Sequence, residues 1–154
     1  MPHSAPKDCP LCFPERETVL WQDASCRVIR VDDADYPGYC RLIWNTHVAE
    51  MSDLSTADQR HCFNILMAVE VALRECYRPD KINLASFGNV VPHLHWHLIP
   101  RYTEDRHFPH PVWGQAQRRG GVSPAPAVDD AHLAGALRHR QSVALQQHQQ
   151  LGER

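Results

Sequence analysis

Three histidines alternate with apolar residues in the segment His93-Leu94-His95-Trp96-His97-Leu98. Successive side chains of a β-strand point to opposite faces, so the three imidazoles would share one face and the apolar side chains the other. The apolar set would anchor the strand in the core. The spacing therefore predicts a strand that presents three histidines together on one side.

The spacing of this histidine strand leaves three interpretations open. The imidazoles can be solvated or hydrogen-bonded without any catalytic role. They can chelate one Zn²⁺ and leave a water molecule to be activated, as in a metal-dependent hydrolase. In the third interpretation, one neutral imidazole attacks phosphorus while a neighbouring group handles protons.

A second candidate for chemistry is the Cys-x-x-Cys pair formed by Cys9 and Cys12, which has the spacing of one half of a zinc site. A redox pair of the thioredoxin type should open a helix after a strand, whereas this pair precedes a proline and short strands. Two unrelated buried thiols would give the same spacing. The pair by itself therefore leaves a metal site, a redox pair and simple burial open.

The composition limits the kinds of partner. The chain has 154 residues, a formal net charge of −2 and an isoelectric point near 6.6. This balance gives no support for binding to nucleic acid or to a membrane surface. No apolar run is as long as a membrane helix, and the first residues lack the apolar core of a signal peptide. We therefore expect a cytoplasmic protein whose six cysteines are not disulfide-bonded.

Five strands and one clear helix can be predicted around the histidines. Apolar and β-branched patterns predict strands at residues 18–21, 26–31, 41–44, 81–87 and 94–100. A helix is predicted from Ser55, a capping residue, to Tyr77, because the residue before Pro79 avoids the helical region. Its predicted apolar face consists of Phe63, Leu66, Met67, Val69, Leu73 and Tyr77.

The order of these elements predicts an α+β domain. Most consecutive strands lack a long crossover, so the sheet should be mainly antiparallel with the principal helix on one face. Residues 1–8 read as a loose N-terminus and 9–114 as the domain. Residues 115–128, rich in glycine, proline and arginine, read as a linker. Residues 129–154 form a weakly amphipathic segment, predicted to be a helical tail or a disordered appendage.

The histidine segment, extended to Ile99, resembles the His-φ-His-φ-His-φ-φ motif (φ, apolar) of the histidine-triad (HIT) superfamily. The surrounding sequence is similar to that family from about Cys9 to Trp113, including Pro37-Gly38, Met51-Ser52-Asp53-Leu54-Ser55, Gly88-Asn89-Val90-Val91-Pro92 and Pro100-Arg101-Tyr102. The resemblance implies a HIT-like domain, a homodimer and an enzyme that cleaves at the α-phosphate of a nucleotide. The implied substrates are dinucleoside polyphosphates or nucleoside phosphoramidates, and no catalytic cofactor is expected.

Catalytic roles follow from this resemblance position by position. His95 matches the nucleophile that forms a covalent nucleotidyl-histidine intermediate, with its other ring nitrogen held by a backbone carbonyl. His97 matches the histidine that contacts the phosphate and assists departure of the leaving group. Gly88, Asn89 and Val90 match the loop whose amides lie against the phosphate. Val90 is a departure, because many relatives have a hydroxyl residue there.

The other substrate contacts are less sharply assigned by the resemblance. Asp32 or Asp33 matches the residue that holds the ribose hydroxyls, and the sequence does not choose between them. Asn83 corresponds to a polar residue near the α-phosphate. The third motif histidine, in place of glutamine, favours the hydrolase branches over the uridylyltransferase-like branch. Trp113 is compatible with a place near the nucleotide or with ordinary packing.

A structural Zn²⁺ is also implied by the resemblance. Some relatives pair a Cys-x-x-Cys with a histidine after the third strand and with the first motif histidine. The matching residues here are Cys9, Cys12, His47 and His93. Two other functions stay open: a zinc-dependent hydrolase that uses the histidine strand as ligands, and a nucleotide-binding module without turnover.

Overall fold

The computed structural model describes residues 5–120 and 123–152, and its centre is a five-stranded antiparallel sheet. The strands are β1 (Thr18–Gln22), β2 (Cys26–Arg30), β3 (Cys40–Trp44), β4 (Lys81–Ala85) and β5 (His95–Arg101). Their spatial order is β1-β2-β3-β5-β4, so that the histidine strand lies between β3 and β4. The antiparallel sheet and its helices confirm the predicted α+β class.

The principal helix, α1 (Thr56–Tyr77), lies where the sequence predicts it. The hydroxyl of Ser55 accepts a hydrogen bond from the backbone N–H of Asp58, which caps the first turn. The helix ends at Arg78, whose backbone is left-handed with a φ of 44°. A short 3₁₀ turn (Met51–Asp53) precedes it.

The buried face of α1 is narrower than predicted. Leu66, Val69 and Leu73 are buried as expected, but Phe63 and Met67 are 46% and 44% exposed. The predicted apolar face therefore extends beyond the part of the helix that is buried in the core. Both follow the helical spacing, but they lie at the margin of the stripe that faces the sheet.

A second helix, α2 (Asp130–Gly152), packs against α1 and β1. Leu133 and Leu137 are buried in the same apolar cluster as Val28, Leu42 and Leu98 of the sheet. A hydrogen bond of 2.5 Å from Nε of Arg30 to Asp130 joins the start of α2 to β2. One face of the sheet is thus covered by both helices, which leaves the histidine face for the site.

The predicted domain boundaries at residues 8, 114 and 128 stay predictions. Residues 1–4, which belong to the predicted loose N-terminus, lie outside the described residues, as do residues 121–122 of the linker and the last two of the chain. Within the described ranges, no helix is long and apolar enough to cross a membrane.

Candidate active site

His95 stands on the open face of the sheet, where its Cα pairs with that of Ile43 in β3. Its side chain is 9% exposed at the floor of a cleft. Nδ1–H donates a hydrogen bond of 2.6 Å to the backbone carbonyl of His93, so the lone pair of the neutral ring is on Nε2. Burial lowers the pKa of His95, the hydrogen bond raises it and nearby Arg41 lowers it, with a net decrease. A neutral imidazole with a free Nε2 can act as a nucleophile.

His97 lies two residues further along β5, and its ring is 4.9 Å from that of His95. Its Nδ1 is 2.6 Å from the hydroxyl of Tyr39, a residue that is itself buried. Burial, followed by the charges of His95 and Arg41, lowers the pKa of His97 to about 4. The second histidine is therefore also neutral at physiological pH.

These two histidines lie in a cleft with a volume of about 870 Å³. This volume is within the range typical of small-molecule sites, roughly 300–1,000 Å³. The N-terminal segment and the two aromatic residues Phe87 and Trp113 contribute to its lining. The lining residues are Pro10, Leu11, Pro14, Glu15, Arg16, Glu17, Ile29, Arg41, Phe87, Gly88, Asn89, Val90, Val91, His95, His97 and Trp113.

The loop before β5 forms one wall of the cleft, through the predicted residues Gly88, Asn89 and Val90. Gly88 has a φ of 74°, a conformation that side chains with a Cβ rarely adopt. Val90 is 94% exposed, so its side chain makes almost no contact with the protein. The wall is therefore formed largely by backbone, which suits close approach of a ligand.

The structure does not bring Asp32, Asp33 or Asn83 to the cleft. Asp32 is exposed in the turn after β2. Asp33 folds back on that turn, where its carboxylate accepts a hydrogen bond from the backbone N–H of Asp35. The amide oxygen of Asn83 accepts a hydrogen bond of 2.7 Å from Arg101. Their roles in binding stay predictions, and the geometry gives them no support.

Among the residues that the sequence reasoning missed are Arg41 and Phe87, which line the cleft, and Tyr39, which contacts His97. Arg41 pairs directly with His97 across the sheet. The alternation of β3 carries a signal that could have found it, because Leu42 and Trp44 are in the core and Arg41 is therefore on the open face. Tyr39 precedes β3. Phe87 was placed in the predicted strand 81–87, but β4 ends at Ala85, so alternation along the strand does not give its direction.

Trp113 reaches the cleft from the segment that follows β5. Its ring is 5.0 Å from the ring of His97 and 4.9 Å from that of Phe87, both in edge-to-face geometry. Although 50% exposed, it therefore forms part of the site and not only of the surface.

A buried ion pair between Arg101 and Asp105 holds that segment. Arg101 is 1% exposed and donates to Asp105 at 2.6 and 3.0 Å and to the carbonyl of His110 at 2.7 Å. Burial opposes ionisation of Asp105, but hydrogen bonds from Arg101 and three backbone N–H groups outweigh it and lower its pKa to about 2. The ion pair thus fixes the start of the chain that leads to Trp113.

Cys9, Cys12, His47 and His93 come together next to the cleft, with one ligating atom from each lying within 4.8 Å of the others. Nε2–H of His93 donates to the carbonyl of Trp44 at 2.6 Å, which leaves the lone pair of Nδ1 directed at the group. Nδ1 of His47 lies 3.2 Å from Nδ1 of His93. Two imidazoles and two thiols around one point form a donor set that could hold a metal ion.

The motif histidines thus separate into two groups. His93 belongs to the cysteine cluster, whereas His95 and His97 line the cleft. Among the described residues, neither His95 nor His97 belongs to a group of three side chains able to share a metal ion. The arrangement of the cleft therefore favours the nucleophilic interpretation over a metal bound by the whole triad.

Comparison with known proteins gives the same family at the levels of sequence and structure. A family model described as the HIT domain matches residues 14–104. A solved structure of a histidine triad protein from Bradyrhizobium japonicum is 31% identical, with a TM-score of 0.63 over 80% of this chain and 90% of that chain. One from Marinobacter aquaeolei VT8 is 26% identical, with a TM-score of 0.60 over 85% and 90%.

Among curated proteins, the chain is similar to bis(5'-adenosyl)-triphosphatase from several strains of Saccharomyces cerevisiae. The protein of strain ATCC 204508 / S288c is 35% identical over 43% of this chain and 35% of its own length. The chain therefore spans about a third of the length of the curated relatives that it matches.

Proposed function

This chain belongs to the HIT domain family, and from that premise we propose that it is a nucleotide hydrolase that works through a covalent nucleotidyl-His95 intermediate. The observation that carries this proposal is the hydrogen bond of 2.6 Å from Nδ1 of His95 to the carbonyl of His93. It keeps the proton on Nδ1 and leaves the lone pair of Nε2 for attack on the α-phosphorus.

In the first step, Nε2 of His95 forms a bond to the α-phosphorus and the bond from phosphorus to the leaving group breaks. The leaving group departs with that electron pair, and Nε2–H of His97 donates a hydrogen bond to it; an amine leaving group takes its proton from solvent. The carbonyl of His93 stabilises the positive charge that develops on the ring of His95. We expect the backbone amides of Asn89 and Val90 to stabilise the charge on the phosphoryl oxygens.

In the second step, water replaces the histidine. The oxygen of a water molecule bonds to phosphorus, the bond from phosphorus to Nε2 breaks, and its electron pair returns to His95. One proton of the water molecule is released to solvent, and both histidines are then back in their starting state. The products are a nucleoside monophosphate and the leaving group.

Dinucleoside polyphosphates are the first substrates to test, because the curated relatives are named as a bis(5'-adenosyl)-triphosphatase. Nucleoside phosphoramidates are the second class, since the same attack breaks a bond from phosphorus to nitrogen. The cleft, at about 870 Å³, has room for a nucleotide and a leaving group together.

We also propose that Cys9, Cys12, His47 and His93 bind a structural Zn²⁺. Two thiolates and two imidazoles are a common tetrahedral set for zinc. When bound, the ion supplies a cross-link between the N-terminal segment and the loop before β5. His95 and His97 take no part in this site, so no catalytic cofactor is required.

A homodimer is the proposed assembly. Phe63 and Met67 leave apolar surface exposed on α1, where Phe63 packs against Trp96 of β5. Exposed apolar surface of this kind suits a contact with a second copy. Light scattering tests the proposal: the wild type should have the mass of two chains and Met67→Glu that of one. A monomeric wild type would contradict it.

The test of the hydrolase is release of AMP from diadenosine triphosphate and adenosine phosphoramidate, with a chelator present. We expect wild-type turnover, loss of turnover in His95→Ala, and normal turnover in His110→Ala, whose histidine is exposed outside the cleft. Unchanged turnover in His95→Ala would overturn the mechanism. Turnover that stops on brief chelation, in protein that is still folded, would favour a catalytic metal.

A trapping experiment tests the intermediate directly. Wild-type protein mixed with substrate and denatured within a turnover should carry the mass of one nucleotide on His95. His95→Ala should bind the nucleotide without forming the adduct. Binding without adduct or turnover in the wild type would instead favour a nucleotide-binding module.

A further inference from the structure

Arg41 is a cationic side chain on the floor of the cleft for which the proposed chemistry has no role. It lies on β3, directly across the sheet from His97, while Ile43 is across from His95. Both strands present these residues to the open face, so the guanidinium lies beside the two histidines. Arg41 is therefore displaced along β3 from the nucleophile toward His97.

Arg41 also differs from the arginines that hold the fold together. Arg27, Arg30 and Arg101 each form an ion pair with a carboxylate. Within the described ranges, Arg41 has no such pair, and its buried Nε has no hydrogen-bond partner. Its guanidinium carbon lies over the ring of Tyr39, 5.9 Å from the ring centroid.

A partly buried arginine whose charge has no anionic partner is costly unless a ligand supplies one. The planar fork of the guanidinium matches the oxygens of a phosphate in a bidentate manner. In the proposed reaction, His95 and the backbone of the 88–90 loop serve the reacting α-phosphate. Arg41 stands instead on the side of His97, which serves the leaving group.

We propose that Arg41 binds the first phosphate of the leaving group, so that the enzyme is selective for nucleotides whose leaving group begins with phosphate. This inference rests on the proposed hydrolase function. It favours dinucleoside polyphosphates, in which a β-phosphate follows the α-phosphate, over phosphoramidates, in which an amine follows it.

The test compares two substrates that differ in this feature. Diadenosine triphosphate releases ADP, whereas adenosine phosphoramidate releases ammonia. Arg41→Gln should lower kcat/KM for diadenosine triphosphate by about 10- to 100-fold, the effect of losing a charged hydrogen bond. For adenosine phosphoramidate it should change kcat/KM by less than about threefold, because no second phosphate is present.

Two variants control the comparison. Arg16→Gln removes an exposed arginine that also lines the cleft and should affect both substrates equally. Arg41→Lys keeps the charge without the fork and should lie between the wild type and Arg41→Gln. Equal losses for both substrates in Arg41→Gln, or no loss for either, would overturn the assignment.

Binding separates this inference from the hydrolase proposal. If the wild type turns over neither substrate, the hydrolase proposal fails, and the affinities for ADP and AMP still test Arg41. The wild type should bind ADP at least about tenfold more tightly than AMP, and Arg41→Gln should bring the ratio close to one. An unchanged ratio, or no binding of either nucleotide, would overturn the role of Arg41.

Discussion

The two histidines of the cleft are held in position by different kinds of group. His95 donates to a backbone carbonyl, which can only accept. His97 meets the hydroxyl of Tyr39, which can donate or accept. Burial raises the pKa of Tyr39, so this hydroxyl keeps its proton at neutral pH. Since Nδ1 of His97 is the acceptor within reach, we expect Tyr39 to donate and His97 to carry its own proton on Nε2.

Replacement of Tyr39 tests this arrangement. Tyr39→Phe removes one hydrogen bond, worth roughly 1 kcal/mol, and should lower kcat by about fivefold with little change in KM. The effect should shrink as the leaving group becomes less basic, because such groups need less help from a proton donor. Kinetics on adenylates of substituted phenols would show this trend. A uniform loss, matched by a lower Tm, would indicate a structural role alone.

The low pKa of His97 has a consequence for stability. In the unfolded chain a histidine titrates near 6.5, whereas in the folded protein the pKa of His97 is about 4. The unfolded state therefore binds the proton first. The stability associated with neutral His97 is present above about pH 6.5 and is lost as the pH falls toward 4.

Denaturant unfolding at pH 7.5, 5.5 and 4.5 measures this effect. His97→Gln keeps a polar side chain without the titration, so its stability should fall less over that range. Between pH 7.5 and 4.5 the free energy of unfolding should fall further in the wild type than in His97→Gln. We expect that difference to be at most about 3 kcal/mol. Parallel pH profiles would contradict the shifted pKa.

At the scale of elements, the segment after β5 depends on the Arg101–Asp105 pair. Asp105→Asn leaves the buried guanidinium without its charge partner, which should destabilise the protein by roughly 3–5 kcal/mol. Urea unfolding would measure the loss, with the exposed neighbour substitution Glu104→Gln as control. Since the pKa of Asp105 is about 2, its stabilising effect is present above about pH 4 and is lost as the pH falls through 2. A stability equal to that of Glu104→Gln would contradict this account.

Elements whose signals are local could be predicted from the sequence. The serine cap and the proline after Arg78 mark both ends of α1, and alternation marks the histidine strand. The cleft depends on contacts between distant segments, which leave no local signal. Arg41 reaches His97 only through the register of β3 and β5, and the direction of Asp32 is decided by how the turn folds. Residue types therefore suggested the proposed reaction, but strand pairing decided which residues reach the cleft.

At the scale of the whole molecule, the two faces of the sheet have different roles: one packs in the core and the other carries the candidate site. Its helical face buries Leu133 and Leu137 of α2 together with α1, whereas its open face carries the cleft and the cysteine cluster. The sparse apolar residues of α2 gave only a weak pattern. Helix α2 is nevertheless part of the core, because α1 and β1 supply the surface that it covers.

The cysteine cluster brings the N-terminal segment, through Cys9 and Cys12, against His47 and His93 of the domain. If it binds zinc, the purified protein should contain about one zinc per chain. Cys12→Ser should lose the metal and lower the Tm, whereas Cys76→Ser, which changes a cysteine outside the cluster, should change neither. Metal analysis and thermal melts check both outcomes. If the wild-type protein is expressed in zinc-supplemented medium and still contains no zinc after purification, the site is refuted.

The side chain and the main chain of His93 contact different groups. Its ring faces the cysteines, while its carbonyl oxygen holds the proton of His95. Every amino acid has a carbonyl, so the hold on His95 does not depend on which residue evolution places at position 93. A lineage could lose the proposed metal ligand there and still keep the hydrogen bond that orients His95, provided that other contacts keep the loop in place. The cysteine cluster and the proposed activity are therefore separable traits among descendants of this fold.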